Sequence, residues 1–331
     1  MKEIIRIQEK RSKINEQIRL FFKKRGFLEA QTPTMVKCAG QEPYLSPIEV
    51  EFKDEKENEH RGFLITSPEY SLKKMLSMGF ERIFELARVF RSRESFGGCH
   101  NTEFTMLEWY RARADYRDIM KDVEELVLFL NRKLNNSGVL SYCGRKINLK
   151  TPWPRLSVKE AFLKFAKINL DKAKDVKSFS SQIKDKSYLS LDWNDIFYSV
   201  FLNEIEPNFP KDRPVIIYDY PLPQASLSKR KGKSFYAERF EVYLGGMELA
   251  NAFSELTDAN EQLRRLKEEQ LQRKKMGKEL IPIDKDFIFS LKLGLPRSGG
   301  IALGVERLQM LLLDIRDIND LLLFPVKKLF K

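Results

Sequence analysis

The first hydrophobic pattern in the chain is helical. Within residues 4–25 the apolar positions recur at steps of three and four, at Ile4, Ile7, Ile14, Ile18, Phe21 and Phe22. This spacing gathers them on one face and predicts an amphipathic helix. Gly26 is expected to end the helix, because glycine readily takes the left-handed conformation found after helices. Residues 27–33 then predict an extended segment that ends at Pro33.

Shorter patterns of both kinds fill the next hundred residues. Strands are predicted at 48–52, 63–66, 82–90 and 103–110, with a charged loop at 53–61. Helices are predicted at 68–78 and 115–134. Ser67 is the expected N-cap of the first of these helices, and Gly79 follows its end. The two longer strands are expected to face each other across the loop that joins them.

The second half of the chain is less regular. Residues 135–215 are rich in Lys, Asp and Ser and predict small helices and surface loops. Further strands are predicted at 215–218, 235–244, 247–255 and 299–304, and helices at 260–276 and 305–313. Strands and helices do not alternate as in a doubly wound sheet, so the sequence predicts an α+β fold, a mostly antiparallel sheet flanked by helices. Without a repeat or linker, residues 1–331 are expected to form one domain, with 135–215 as an inserted region.

Composition is that of a globular protein, with 42% apolar and 32% charged residues. No run approaches the roughly 18 apolar residues that cross a bilayer, and the charged start is unlike a signal peptide. A cytoplasmic protein with no membrane contact is therefore expected. Cys38, Cys99 and Cys143 are odd in number and not at metal-ligand spacing, which indicates free thiols. The net charge of +12 would attract an anionic partner, although a solubilising lysine-rich surface explains it equally well.

Polar residues fill the loop between the two longest predicted strands. The loop carries Arg91, Arg93, Glu94, His100 and Asn101. A guanidinium at a strand end can hold a phosphate through paired hydrogen bonds, and the loop's two glycines let the backbone approach a ligand. The polar residues that follow could line a pocket, namely Glu103, Thr105, Glu108 and Tyr110. Taken alone, an edge hairpin with a solvated tip explains the pattern equally well.

Two carboxylates, Glu248 and Glu255, lie seven residues apart in a predicted strand. That spacing puts them on opposite faces, so a bend or bulge must intervene if they share a ligand. Carboxylates that converge near phosphates usually do so through Mg²⁺. Two unrelated surface acids are the simpler interpretation of this pair alone.

Glycines leave the predicted strand 299–304 nearly without side chains. Such a strand suits a flat ligand lying on the sheet, and Arg307 in the following helix could face that ligand. Glycine in a strand also marks bulges and close packing, so the pattern is weak evidence by itself. None of these motifs decides the function when taken singly.

Taken together and in order, the motifs resemble the three signature motifs of class II aminoacyl-tRNA synthetases. They run through Thr-Pro33, Ser-Pro-Glu69, Phe-Arg91, His-Asn101, Glu-Phe-Thr-Met-Leu-Glu-Trp-Tyr110, Glu248, Glu255 and Gly-Val-Glu-Arg307. Within that class the chain looks like the lysine branch, whose pattern includes Ser-Pro-Glu, His-Asn-x-Glu-Phe-Thr-Met and Glu-x-x-Asn-x-Phe-x-Glu-Leu. The resemblance extends from about residue 10 to residue 326.

The resemblance also bears on the acceptor. Lysyl-tRNA synthetases carry an N-terminal anticodon-binding domain, which is expected to be absent here because motif 1 begins almost at the first residue. Proteins of this shape are similar to the elongation factor P β-lysine ligase family, which activates (R)-β-lysine with ATP and transfers it to a lysine of elongation factor P. Four segments favour that family, Glu-Trp-Tyr-Arg111, Gln-Ala-Ser-Leu227, Glu-Arg-Phe-Glu-Val-Tyr243 and Glu-Leu-Ala-Asn251.

The implied substrates are ATP with Mg²⁺ and either lysine or (R)-β-lysine, and the implied assembly is a homodimer built on motif 1. Two alternatives stay open. One is a ligase that charges tRNA, which the net charge permits. The other is a catalytically idle paralogue with a regulatory role, which has no physical need of Arg91, Glu248, Glu255 and Arg307 together.

The resemblance assigns roles to single residues. Arg91 and Arg307 are the expected catalytic residues, on the α- and γ-phosphates of ATP. Further ATP contacts are expected from Glu94, His100, Asn101, Phe104 (stacked on adenine), Glu248, Leu249 and Gly304. Glu248 and Glu255 match the family's Mg²⁺ ligands. The expected amino-acid contacts are Ser67, Pro68, Glu69 (backbone amine), Glu108 and Tyr110 (distal ammonium), Asn251 (carboxylate), Glu255 and Ala302.

Three positions depart from the lysyl-tRNA synthetase pattern. Ala302 stands where those enzymes tend to have glycine, and one methyl group of about 1 kcal/mol shifts the expectation toward β-lysine. The loop from Arg91 to His100 is one residue longer than usual, which bears on Glu94. Glu306 replaces the usual aspartate beside Arg307.

Overall fold

Thirteen strands lie in the part of the chain that the computed structural model describes, residues 2–183 and 191–330. They are β1 (Leu28–Glu29), β2 (Met35–Val36), β3 (Ile48–Lys53), β4 (Glu59–Leu64), β5 (Arg82–Phe90), β6 (Glu103–Ala112), β7 (Val139–Tyr142), β8 (Arg145–Asn148), β9 (Arg155–Ser157), β10 (Val215–Pro221), β11 (Tyr236–Leu244), β12 (Met247–Ser254) and β13 (Ser298–Gly304).

Eleven α-helices lie in the same described residues. They are α1 (Lys2–Lys23), α2 (Glu69–Ser77), α3 (Tyr116–Asn135), α4 (Val158–Ala161), α5 (Val176–Ser180), α6 (Trp193–Val200), α7 (Ala259–Lys275), α8 (Lys285–Gly294), α9 (Val305–Leu313), α10 (Ile318–Leu321) and α11 (Val326–Leu329). None of these helices is both long enough and apolar enough to cross a membrane.

One eight-stranded sheet organises the described residues, in the order β1-β5-β6-β13-β12-β11-β10-β9. The strands from β5 to β10 pair antiparallel, and only the two edge strands, β1 and β9, add in parallel. Strands β2 to β4 form a separate small sheet, and β7 pairs with β8. The predicted fold, an antiparallel sheet flanked by helices, is confirmed.

The apolar face of α1 packs on the sheet and on α3. Ile14, Ile18, Phe21 and Phe22 are buried, as their spacing predicted, and the Phe22 ring stacks on Phe84 of β5 with centroids 4.7 Å apart. Asp115 starts α3 with a capping box, which fixes the end of the helix beside β13. These contacts hold the middle strands of the sheet in place.

The sequence misplaced two local features. Strand β4 begins at Glu59, inside the region predicted as loop, because Asp54 closes a tight turn by accepting from the N–H groups of Lys56 and Asn58. Pro68, rather than Ser67, is the N-cap residue of α2. The Ser67 hydroxyl accepts from the Glu69 N–H at 3.0 Å and donates to Glu108. It therefore links the start of α2 to Glu108.

The region 135–215 is more structured than its composition predicted. Apart from residues 184–190, which lie outside the described residues, it contributes β7, β8, β9 and three helices. Its aromatic side chains form a second hydrophobic core against β10 and β11, which includes Phe162, Phe179, Trp193, Phe197, Phe201, Tyr220 and Tyr243. The expected small helices are present, but the buried aromatic core was not anticipated, because short helices and π-helical turns interrupt the periodicity of this segment. Helix α8 was also missed.

The contact of β13 with α3 gives a test of this packing. A β-carbon at Gly299 would lie 2.6 Å from Ile119 Cγ1 and 3.0 Å from the Asp115 carbonyl oxygen. Gly299→Ala is therefore expected to lower the free energy of unfolding by about 1–3 kcal/mol, the usual cost of overpacking. Urea denaturation measures it. Gly138→Ala is the matched control, because no atom lies within 4 Å of its added β-carbon; equal effects of the two changes would contradict the packing described.

Candidate active site

A cavity of about 920 Å³ opens on the face of the sheet formed by β6, β12 and β13. It gathers all the residues to which the family resemblance assigned a role, except Pro68 and Glu255. Glu103 and Thr105, which were also expected to line a pocket, do not: Glu103 pairs with Arg88, and Thr105 donates to Glu306. The nominated residues that line it are Ser67, Glu69, Arg91, Glu94, His100, Asn101, Phe104, Glu108, Tyr110, Glu248, Leu249, Asn251, Ala302, Gly304 and Arg307. Segments far apart in sequence thus meet in one place.

Arg307 and His100 form one end of this cavity. The Arg307 guanidinium donates to the Glu248 carbonyl oxygen at 2.7 Å, and its other amino group lies 3.1 Å from His100 Nε2. A guanidinium only donates, so His100 Nε2 is the acceptor and Nδ1 carries the proton. The Glu248 carboxylate lies 3.6 Å from Arg307, and 41% of the Glu248 side chain is exposed. This end therefore presents fixed cationic donors beside one accessible acid.

Arg91 extends the cationic end. It follows β5, and its guanidinium lies 5.1 Å from the centroid of the Phe104 ring, a cation–π contact. Within the described residues, the guanidinium of Arg91 makes one hydrogen bond, a long one to the Thr66 carbonyl oxygen at 3.5 Å. Its Nε atom is buried without a partner. Burial lowers the pKa of Arg91, against the opposing effect of Glu42. A buried donor without an acceptor is suited to an anionic ligand.

The Asn101 amide is engaged within the protein. Its Nδ2 donates to the Glu103 carbonyl oxygen at 2.7 Å, and its Oδ1 accepts from the Val326 N–H at 3.2 Å. The carbonyl of Gly98 also accepts from the Ile318 N–H at 2.8 Å. Asn101 therefore fixes the hairpin loop against the C-terminal helices, in addition to lining the cavity.

The backbone of the loop between β5 and β6 accommodates the extra residue through positive φ angles. Arg93 takes a positive φ of 63°, and Gly97 and Gly98 take φ values of 133° and 62°, with Gly97 bridged to His100. This tight turn returns the chain to β6 without disturbing the pairing of the two strands. Glu94 still lines the cavity.

The opposite end of the cavity is acidic, and Glu108 lies at its centre. Glu108 is fully buried and accepts from Ser67 Oγ at 2.5 Å and from the Tyr110 hydroxyl at 2.9 Å. Burial, followed by the charge of Glu69, raises the pKa of Glu108 to about 8. In the free protein the group therefore holds a proton at neutral pH.

Lys73 and Glu255 lie beside this acidic end, and neither was expected to meet the other. The Lys73 ammonium is 2.5 Å from Glu69 Oε1 and 2.6 Å from Glu255 Oε2. Burial alone lowers the pKa of Lys73, but the charges of Glu255 and Glu69 outweigh it and the pKa is raised. Lys73 thus joins α2 to the end of β12.

This arrangement bears on the expected Mg²⁺ site. The Glu248 carboxylate lies beside Arg307, whereas Glu255 is paired with Lys73. Among the residues that the structure describes, no group of three or more His, Cys, Asp or Glu side chains is placed to hold a metal. The assignment of Glu248 and Glu255 to Mg²⁺ and the expected contact of Glu255 with the amino acid both stay predictions.

A bulge in β12 produces the orientation of these residues, as the spacing required. Val242 pairs with Ala250 and Tyr243 pairs with Glu248, so Leu249 is the extra residue. Without the bulge Glu248 and Asn251 would point to opposite faces, because they are three residues apart. With it, both line the cavity.

The sequence missed a buried network that supports Asn251. Arg239 donates to Asn251 Oδ1 at 3.2 Å and to Glu241 Oε1 at 2.6 Å, and it stacks over the Tyr220 ring at 4.4 Å. Glu241 also accepts from the hydroxyls of Tyr220 and Tyr243. Desolvation inside the cavity, followed by the charge of Glu241, raises the pKa of Glu248 to about 7, although part of the side chain stays open to the cavity. Charged residues at alternate positions of a predicted core strand, 239 and 241, were the available signal.

The glycine-rich strand β13 forms the floor between the two ends. A β-carbon at Gly300 would lie 2.2 Å from the Tyr110 ring and 2.4 Å from Glu255 Oε1, so only glycine fits there. Ala302 pairs with Glu108 on one side and with Asn251 on the other. Gly304 is the N-cap residue of α9, which carries Arg307. Glu306 is buried and accepts from the Thr105 N–H and hydroxyl, so its role is to hold α9 on β6.

Comparison with known proteins agrees with this geometry. The family described as tRNA synthetases class II (D, K and N) matches residues 1–328. The chain belongs to this family. It is 38% identical over 325 residues to the elongation factor P–(R)-β-lysine ligases of Yersinia pestis (strain Pestoides F) and Yersinia pseudotuberculosis (serotype O:1b), which covers 96% of this chain and 94% of each ligase.

A relative of another kind is the lysine–tRNA ligase of Moorella thermoacetica, which is 35% identical over 328 residues. That match covers 96% of this chain, and the chain spans 64% of the length of the Moorella enzyme. The chain is thus an aminoacyl-synthetase-like ligase of the class II type.

The raised pKa of Glu108 makes stability depend on pH. The folded protein holds this proton up to about pH 8, whereas an unfolded chain releases it near pH 4.3, so the contribution of Glu108 falls as pH rises through that window. Glu108→Gln is expected to remove this fall, so the variant gains stability relative to the wild type by up to about 1.4 kcal/mol per pH unit.

Urea denaturation across the same pH window measures the difference. Glu16→Gln on the exposed side of α1 is the control and should follow the wild-type profile. Parallel profiles for the wild type and Glu108→Gln would show that Glu108 is ionised in the folded protein.

Proposed function

We propose that this chain activates lysine or (R)-β-lysine with ATP as an aminoacyl adenylate and transfers it to a lysine side chain of elongation factor P. The observation that carries the proposal is the division of one cavity into a cationic end, with Arg91 and Arg307, and an acidic end, with Glu69 and Glu108. Triphosphate and a diamino acid are substrates of opposite charge that must meet. A cavity with two such ends would hold both at once.

The cationic end suits the first step. There an oxygen of the amino-acid carboxylate bonds to the α-phosphorus of ATP, the bond to the bridging oxygen breaks, and pyrophosphate leaves. Such a displacement depends on positioning and on charge stabilisation rather than on a covalent nucleophile. Arg91, whose Nε is buried without a partner, would hold the α-phosphate. Arg307, oriented by His100 and the Glu248 carbonyl, would hold the γ-phosphate.

The remaining nominated residues at this end would surround the nucleotide. Phe104 has one contact to Arg91, and we assign its ring to the adenine base. Glu94, His100, Asn101, Leu249 and Gly304 line the same part of the cavity and would contact the rest of ATP. Their roles are proposed on this position and on the family resemblance.

The donor set at this end also fits Mg²⁺. Mg²⁺ usually binds through one or two carboxylates together with substrate phosphates, so a cage of protein ligands is not required. Glu248, with its exposed carboxylate, would hold the ion together with phosphate oxygens. When bound, the ion supplies neutralisation of phosphate charge. Glu241 is the other carboxylate whose charge acts on Glu248.

The acidic end suits a substrate with two ammonium groups, because a buried ammonium requires a paired charge. Glu69 would receive the backbone amine, with Ser67 and Pro68 shaping the start of α2 around it. Glu108 and Tyr110, with Glu255 nearby, would receive the distal ammonium, and Glu108 would release its proton to solvent as that ammonium binds. Asn251, held by Arg239, would orient the carboxylate, and Ala302 between Asn251 and Glu108 would favour β-lysine by its shape.

The second step forms an amide. The acceptor amine bonds to the carbonyl carbon of the adenylate, the bond to the phosphate oxygen breaks, AMP leaves and the amine loses a proton. Elongation factor P as acceptor is supported by the two Yersinia ligases, which match along nearly their whole length. Transfer to tRNA is the second candidate, supported by the Moorella lysine–tRNA ligase and by the net charge of +12.

We further propose that the chain acts in the cytoplasm as a homodimer. The segment that resembles motif 1 exposes apolar side chains, Ile5 on α1 and Leu28 on β1, that a second copy would cover. Sedimentation at micromolar concentration would test this assembly, and a monomer would exclude it.

A transfer assay separates the candidate functions. With ATP and Mg²⁺, purified protein is expected to exchange pyrophosphate in the presence of (R)-β-lysine or lysine, and to move labelled amino acid onto elongation factor P in preference to tRNA. If the labelled amino acid appears on tRNA and not on elongation factor P, the result would favour the function of a tRNA ligase. Absence of exchange with any lysine isomer would leave the idle paralogue as the function.

The assignment of Arg91 is tested by substitution. Arg91→Ala is expected to lower the exchange rate by about 10²–10³-fold, because it removes a donor aimed at developing phosphate charge. Arg88→Ala is the control, since Arg88 lies on the same strand with its side chain 54% exposed. Equal exchange rates for the two variants would remove Arg91 from the reaction.

A further inference from the structure

Lys73 is a fully buried lysine that no part of the proposed reaction uses. It lies on α2 one turn after Glu69, and its side chain is 1% exposed. Its neighbour Lys74 faces the other way and pairs with Asp284 at 2.6 Å. An ammonium group is costly to bury, so its position beside the acidic end calls for a physical explanation.

The Lys73 ammonium contacts one oxygen of each of two carboxylates. It forms ion pairs with Glu69 Oε1 and with Glu255 Oε2. The remaining oxygen of Glu255, Oε1, is buried without a hydrogen-bond partner and lies beside Gly300 and the Tyr110 ring. Glu69 itself lines the cavity. Glu69 is therefore held by one oxygen while its side chain lines the cavity, whereas Glu255 is enclosed and balances the charge of Lys73.

Charge gives a second reason for this arrangement. Glu69, Glu108 and Glu255 lie together at the acidic end, and the charge of Glu69 raises the pKa of both other acids. Without a fixed cation the three would repel one another, and they would take up protons or turn apart. A carboxyl group that is protonated or rotated offers no fixed acceptor to an ammonium.

We propose that Lys73 is a positioning residue that, with the enclosed Glu255 as its counter-charge, orients Glu69 so that the free oxygen of Glu69 receives an ammonium group of a diamino-acid substrate. This inference rests on the proposed function and adds the residue that sets its selectivity. In the proposed reaction Lys73 would contact neither the reacting atoms nor ATP. Its removal therefore acts on the binding of the amino acid and leaves the nucleotide end intact.

The test compares Lys73→Ala, Lys73→Arg and Lys74→Ala with the wild type in pyrophosphate exchange. Lys73→Ala is expected to raise the KM for (R)-β-lysine or lysine roughly 10- to 100-fold, a loss typical of removing a group that orients a ligand-binding side chain. The KM for ATP should change less than about threefold, within the scatter of a remote substitution. Lys74→Ala, the matched control, should change neither value.

Rescue separates positioning from folding. Lys73→Arg keeps the cation and is expected to recover most of the affinity for the amino acid. Added n-butylamine, which can supply an ammonium in the space that Lys73→Ala vacates, should lower its raised KM. If Lys73→Ala does not fold, Lys73→Gln, of similar length and without charge, carries the same comparison.

The outcomes distinguish this inference from the function on which it rests. A wild-type protein that exchanges with no lysine isomer overturns both. A wild-type protein that exchanges normally, with Lys73→Ala indistinguishable from Lys74→Ala, overturns the role of Lys73 alone. Equal rises in the KM for ATP and for the amino acid, without rescue, would make Lys73 a structural residue only.

Discussion

Charged side chains buried on one face of the sheet must be paired within the protein, and the rest of the structure depends on this constraint. Desolvation disfavours every ionised group that lies there. Lys73 is balanced by Glu69 and Glu255, and Arg239 by Glu241. Glu108 is kept neutral by a raised pKa instead. The pairs join α2 to β12 and fix β11, so the polar floor of the cavity is also what holds its walls together.

The pairing is incomplete at specific atoms, and these atoms give the cavity its chemical character. Arg91 Nε has no acceptor and Glu255 Oε1 has no donor among the described residues. Buried polar atoms without partners are unfavourable in the empty protein, and a ligand of matching charge would relieve that cost. Among the buried polar atoms without partners in the described residues, these two have opposite character, one a donor and one an acceptor. Such a pair fits the two substrates of opposite charge proposed above.

The sequence predicted the elements whose hydrophobic periods are uninterrupted. The strand Arg82–Phe90 and the helix Val305–Leu313 begin and end where the pattern indicated. A bulge lies between Glu248 and Glu255, where their spacing called for a bend or bulge on the condition that the two acids share a ligand. The second core between 135 and 215 escaped notice because its aromatic residues lie on several short elements rather than on one long periodic helix. Periodicity cannot be read from a segment whose faces change at short helices and π-helical turns.

Prediction of the site was limited by partners that are distant in sequence. The nominated residues that line the cavity were found because each falls within a motif. Lys73 was missed because its ion pair with Glu255 joins positions 182 residues apart (255 minus 73). Arg239 was missed although its partners Glu241 and Asn251 are close in sequence, because a charged pair in a predicted core strand carries no motif of its own.

The bulge at Leu249 has a consequence for how this part of the chain can change in length. Loops such as Gly138 and its neighbours can gain or lose a residue with local effects, since the strands around them keep their faces. A single deletion between Met247 and Ala250 would restore a regular ladder and leave Glu248 and Asn251 two residues apart, still on one face. Loss of the bulge at unchanged length would instead exchange the inward and outward side chains of the strand on one side of it. The sheet could survive that change with its hydrogen bonds intact while Glu248 and Asn251 turned away from each other. The match between the bulge and the number of residues is therefore a constraint of chemistry rather than of folding.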